Sequence, residues 1–227
     1  MTVEFWTVSG APSPWRAALG MAFKGLDYDV HMLSAAQKEH KSDTYLALNP
    51  RGTVPTLTSG DQTLGHSIAI LAWLDRTHPG SPLFGETPQE AGQIWQRTMD
   101  VFDYLPPATS AVLSPIFFDG AAEATDDLLA AADTLRSELG HLSDTLNDAP
   151  YLSGARPGAV DAVAFPHVRL IQRATETKQK IMHDLGLPGL STISPKLTDW
   201  VARIERLPNV ARTFPPHWTE ASQEARQ

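Results

Sequence analysis

At 227 residues, with 42% hydrophobic and 19% charged side chains, the chain has ordinary globular composition and room for one large domain or two small ones. A net charge of −8 without any Lys/Arg cluster argues against a nucleic-acid partner, and no run approaches the roughly 18 apolar residues of a membrane span. Cysteine is absent, so disulfides and an enzyme thiol nucleophile are excluded, and the eight histidines lack metal spacing, so no metal site is expected; any thiol chemistry must use a thiol that the ligand brings.

The first residues, Met1 to Trp6, lack the basic region and apolar run of a secretory leader, so a cytoplasmic protein is expected. Val3, Phe5 and Thr7 alternate with Glu4 and Trp6, and Tyr28, Val30 and Met32 alternate with Asp29 and His31, the period-2 pattern of half-buried strands. Between them Ser13-Pro14-Trp15-Arg16 reads as a helix start, with Ser13 at the cap and Pro14 at the first helical position, and Gly25 marks the end. A strand-helix-strand unit this short predicts parallel strands with a right-handed crossover.

Residues 42–48 predict a short helix, and Thr56-Leu57-Thr58 and Gln62-Thr63-Leu64 flank Gly60-Asp61 as a hairpin. Before the hairpin lies Asn49-Pro50-Arg51-Gly52-Thr53-Val54-Pro55, which suits a tight Val-Pro junction with cis geometry open to it. There the Val54 backbone would be presented edge-on, ready to pair with an extended peptide. After the hairpin, Ser67 opens an apolar-faced helix to about Thr77, and a helix start offers a hydroxyl and free N–H groups to a carboxylate. Together, a peptide-reading edge and a carboxylate-binding helix start fit a small acidic peptide.

The Pro- and Gly-rich residues 81–88 read as a linker, which sets expected domains at 1–80 and 89–227. Beyond it only helices are predicted. Trp95, Met99 and Phe102 form one stripe, Leu128, Leu135, Leu139, Leu142 and Leu146 another, and Trp200, Val201, Ile204 and Leu207 a third, all expected in the core. Residues 175–194 read as irregular, with room for one short helix.

This order of elements resembles the cytosolic glutathione S-transferase family over essentially the whole chain. Residues 11–28, APSPWRAALGMAFKGLDY, look like the first helix of zeta- and tau-like bacterial and plant members, with Arg16, Lys24, Gly25 and Tyr28 in register. His40-Lys41 through Pro55, His66-Ser67-Ile68-Ala69, and Tyr151 through Asp161 add to the match. The resemblance implies an α/β thioredoxin-like N-terminal domain followed by an all-α domain, with glutathione as co-substrate, a small hydrophobic electrophile as its partner, and a homodimer.

Site roles follow from the same resemblance. Val54 before Pro55 would pair with the cysteinyl backbone, Ser67 would hold the γ-glutamyl carboxylate, and His40 and Arg51 would serve the glycyl carboxylate. Trp15, Phe102 and Phe117 would contact the hydrophobic substrate. The sequence departs from the family pattern at three places. His66 stands where Glu or Gln usually helps fix the γ-glutamyl amine, and an imidazole is a poorer acceptor, most of all when protonated. Gly158 replaces a Ser or Thr cap three residues before Asp161, a change worth only a few tenths of a kcal/mol. Most consequential, Ala11 occupies the position of the thiol-activating Ser or Cys, so Ser13 first and Ser9 second are the candidate catalytic hydroxyls. The expected reaction is transfer of the glutathione thiolate to an electrophile. Isomerase and ether-cleaving lyase variants, or a non-catalytic binding protein, are the alternatives.

Overall fold

The structure is a computed structural model that describes residues 2–218. Packing divides the chain into two compact units: one runs through Leu83 and resumes at Arg206, and the other is Phe84–Glu205. The expected helical domain, 89–227, differs from this at its C-terminal end, whose last nine residues lie outside the described ones.

The first unit is built on a four-stranded sheet of order β2-β1-β3-β4, with β1 Val3–Thr7, β2 Asp29–Met32, β3 Thr56–Ser59 and β4 Gln62–Gly65. As the crossover predicts, β1 and β2 are parallel, while β3 is antiparallel to both β1 and β4. Helix α1, Pro12–Phe23, makes that crossover, α2 is Asp43–Leu48, and α3 is Ser67–Thr77. Gly20 lets α1 and α3 approach closely, since a Cβ there would sit 2.2 Å from Leu71 Cδ2. The same two helices share a buried ion pair, Lys24 Nζ to Asp75 at 3.4 Å, in which Asp75 also accepts from the Leu83 N–H.

Two expectations about this unit are corrected. The α1 cap is Ala11, with Pro12 at the first helical position; Ser13 lies inside the first turn, because a Pro at position 12 already fixes helical φ one residue earlier than Ser13-Pro14 suggested. Strand β2 is an uncovered edge, with Val30 52% exposed, so its alternation does not mark a buried face.

The second unit is all-helical: α4 Pro88–Phe117, α5 Asp126–Thr145, α6 Ala159–Thr177, α7 Gln179–Asp184, α8 Leu190–Ile193 and α9 Pro195–Glu205. Residues 175–194 thus contain two short helices as well as the end of α6, where one at most was expected. Leu128, Leu135, Leu139 and Leu142 of the predicted α5 stripe are core and Leu146, just past its end, is half-buried, but the α4 stripe is not core: Met99 and Phe102 are exposed, and α4 buries Ile94, Val101, Leu105 and Val112 instead. Trp95 stacks on Phe84 with centroids 4.1 Å apart. Asp161, fully buried at the start of α6, accepts from the backbone N–H groups of Leu152, Ser153 and Gly158 and from Trp200 Nε1, all within 3.1 Å. Burial pushes its carboxyl up from the ordinary value, and these donors pull it back. Gly158 loses a side-chain cap but its N–H is answered by Asp161, as the spacing implied.

Candidate functional site

The ladder registers bring the candidate residues to one end of the sheet. Thr56 is opposite both Trp6 and Gly65. The chain leaving β1 through Ser9 into α1, the chain arriving through Val54-Pro55, and the chain leaving β4 through His66-Ser67 therefore meet at that end.

Val54-Pro55 is cis. Its approach is fixed by side chains: the Thr53 carbonyl accepts from Tyr45 OH at 2.7 Å and from Asn49 Nδ2 at 2.8 Å. Both groups also reach Thr56 Oγ1, at 2.8 and 3.1 Å. Among the described residues nothing pairs with the backbone N–H or C=O of Val54, which leaves that edge free to pair with an extended peptide.

At the start of α3, Ser67 is buried, and its Oγ accepts from Arg16 Nη1 at 2.9 Å and lies 3.2 Å from Ser13 Oγ. Ser13 and Arg16 are one turn apart on α1, so they share a face. Arg16 is only 3% exposed, and burial pulls its guanidinium down to about 10, which still leaves it cationic at neutral pH. A hydroxyl pair, a cation and a helix N-terminus make a site for an anion. Arg16 was legible only as a residue in register, since nothing in the composition marks which arginine the fold buries.

His66, exposed, caps α3 with φ +61 and no side-chain cap bond. His40 sits in a 3-10 turn, Glu39–Lys41, with its Nδ1 buried and unmatched by any partner among the described residues, and Arg51 is exposed. Between them, Lys41 Nζ donates to the Gly52 carbonyl at 2.6 Å, so that lysine is committed to the turn.

Ser9 is separated from this cluster. Its Oγ lies 2.9 Å from His217 Nδ1, a residue that no reading of the motifs singled out. The β1–α1 loop also borders a cavity of about 240 Å3 with Tyr28, Met32 and Phe214 on its walls. Trp15 lines it too, although the ring is largely buried: Nε1 donates to Thr213 Oγ1, and Phe214 and Trp218 meet it edge-on. In the second unit a cavity of about 500 Å3 lies between α4 and α5, walled by Arg97, Asp100, Tyr104, Glu138 and His141. Phe102 and Phe117 line neither cavity; both are partly exposed, and Lys178 lies over the Phe117 ring.

Fold and site together define a thioredoxin-like unit with a peptide-pairing edge beside an anion-ready helix start, joined to a helical unit. Residues 11–77 match the family described as glutathione S-transferase, N-terminal domain. Glutathione S-transferase A of Pleuronectes platessa is 23% identical over 95% of this chain and 92% of its own length. Maleylacetoacetate isomerase of Dictyostelium discoideum is 39% identical over 30% of this chain and 32% of its own. A crystal structure of a glutathione S-transferase from the Antarctic clam Laternula elliptica superposes with a TM-score of 0.82 at 27% identity, covering 97% of this chain and 95% of that one. Residues 11–77 thus match that family's N-terminal domain, and the chain as a whole is similar to glutathione S-transferases over nearly its full length.

Proposed function

We propose that this protein is a glutathione-dependent transferase that directs the bound thiolate onto a hydrophobic electrophile. The observation that carries the reading is the juxtaposition of the unpaired Val54 edge with the Ser67–Ser13–Arg16 cluster. An extended tripeptide can pair its cysteinyl backbone with Val54 while its γ-glutamyl carboxylate meets Ser67, Arg16 and the α3 N-terminus. His66 stands by the γ-glutamyl amine, and His40 and Arg51 serve the glycyl carboxylate. Trp15, on the wall of the cavity beside the β1–α1 loop, is the apolar group that the first unit offers to the electrophile. The protein's contribution is to hold the thiolate and the acceptor together, since proximity and orientation alone account for large rate factors. A homodimer in the cytoplasm belongs to the same proposal, by family resemblance.

The test is calorimetry with glutathione followed by turnover of a chloronitroarene. Binding with turnover is expected; absence of heat at millimolar glutathione would make the protein a scaffold and end the reading. A second reading, glutathione-dependent cis–trans isomerisation, is favoured by the likeness of the N-terminal region to maleylacetoacetate isomerase. Isomerisation of a cis-enedione acid, with no conjugate accumulating, would distinguish it.

A further inference from the structure

Resting on that reading, we propose that the hydroxyl which meets the glutathione sulfur is that of Ser9, and that His217 is the positioning residue that aims it. Three observations converge. Ala11, at the cap of α1, has no hydroxyl to give. The Ser13 hydroxyl is within hydrogen-bond distance of Ser67 Oγ and so is placed at the carboxylate end, a bond network shared with Arg16. Ser9, on the same loop, is instead held at 2.9 Å by the ring of His217.

The placement of that ring is built, not incidental. The segment carrying it is anchored on one side by Arg212 to Asp27 at 3.0 Å and on the other by Trp218, whose ring is buried edge-on against Trp15 and whose backbone N–H donates to the Pro215 carbonyl. On the loop side, Gly10 has φ +78, and a Cβ there would stand 3.1 Å from His217 Cε1. The close approach of ring and loop thus depends on a residue without a side chain.

A serine hydroxyl has one proton to donate and two lone pairs to accept with. When His217 Nδ1 carries a hydrogen it donates to Ser9 Oγ, and the serine O–H is left to point outward at the sulfur. No proton passes to the histidine in this step: the thiol's proton leaves to solvent, and Ser9 donates a hydrogen bond to the thiolate that remains. Preferential bonding to the charged form lowers the thiol pKa.

The experiment measures the ultraviolet thiolate absorbance of the glutathione complex at fixed pH, with calorimetry for affinity, on wild type and on Ser9→Ala, His217→Ala, His217→Asn, Gly10→Ala and Ser13→Ala. Ser9→Ala and His217→Ala are each expected to cut the thiolate fraction several-fold, and the double variant to be no worse than Ser9→Ala alone. His217→Asn, whose amide can donate from nearly the same place, is expected to restore most of it, and Gly10→Ala to behave like His217→Ala. Ser13→Ala is expected to weaken affinity while the thiolate signal per bound glutathione holds. Equal loss in His217→Ala and His217→Asn, or loss confined to Ser13→Ala, would overturn the assignment while leaving glutathione binding intact. Failure of the wild type to bind glutathione would instead overturn the reading on which the assignment rests.

Discussion

The buried Arg16 guanidinium donates to Ser67 Oγ at the start of α3 and is placed where a ligand carboxylate would meet it. This sets an order among the cations near the site. Arg16 is pre-positioned against Ser67, whereas Arg51 is solvated and pairs through its backbone, its N–H donating to Asn49 Oδ1 and its carbonyl accepting from Lys41 Nζ. Hydrogen bonds to charged groups are worth about 1.5–3 kcal/mol when buried, and exposed ion pairs about 0–1 kcal/mol. Arg16→Met is therefore expected to weaken glutathione binding by at least roughly tenfold, and Arg51→Ala by less than about fivefold, both read as Kd by calorimetry. The reverse order would place the dominant cation at the glycyl end. The Val-Pro turn and Ser67 were legible from sequence because each is a local signal. Arg16, Tyr45 and Asn49 were not, because their roles depend on partners brought close only by the fold.

At the scale of elements, the long helix α4 opens at a capping box hidden inside what the sequence presents as a Pro/Gly linker. Glu90 N–H donates to Thr87 Oγ1 at 3.2 Å, and Glu90 Oε2 accepts from the N–H groups of Thr87 and Glu86. Thr87-Pro88-Gln89-Glu90 carries that spacing and could have been read as a helix start. The backbone bonds from Glu86 and then Thr87 hold the Glu90 carboxyl below its usual range. A depressed carboxylate stabilises the fold above its unfolded pKa and loses that contribution as pH falls through its lower folded value. Glu90→Gln is thus expected to melt below wild type at pH 7, with the gap in Tm closing as the pH falls below the ordinary glutamate range. A gap that stays constant with pH would mean that the amide disturbs packing and not charge. Other elements were legible from signals as local as the 3.6 period of α5, namely the period of 2 in β1 and the Gly60-Asp61 turn of the hairpin; the α4 stripe misled because Met99 and Phe102 share the helical period on a face the unit leaves uncovered.

For the whole molecule, the order of strands and helices was readable from local patterns, yet the return of the chain from Arg206 to the first unit was not. Pro215-Pro216-His217-Trp218 has no periodicity, and its docking point, the buried ring of Trp15, is brought to Trp218 by the fold alone. That docking makes the C-terminal segment part of the first unit's core, beside the loop that carries Ser9. Truncating a buried tryptophan to alanine costs about 3–5 kcal/mol. In a protein of two compact units the loss falls on the one that owns the contact. Trp218→Ala is accordingly expected to speed amide exchange in β1 and α1 by orders of magnitude while the amides of α6, capped by Asp161 inside Phe84–Glu205, keep their protection. Uniform acceleration in both units would show that they unfold as a single cooperative body. No change in either would show that Trp218 is not packed against Trp15, and with it the basis for His217's position would be lost.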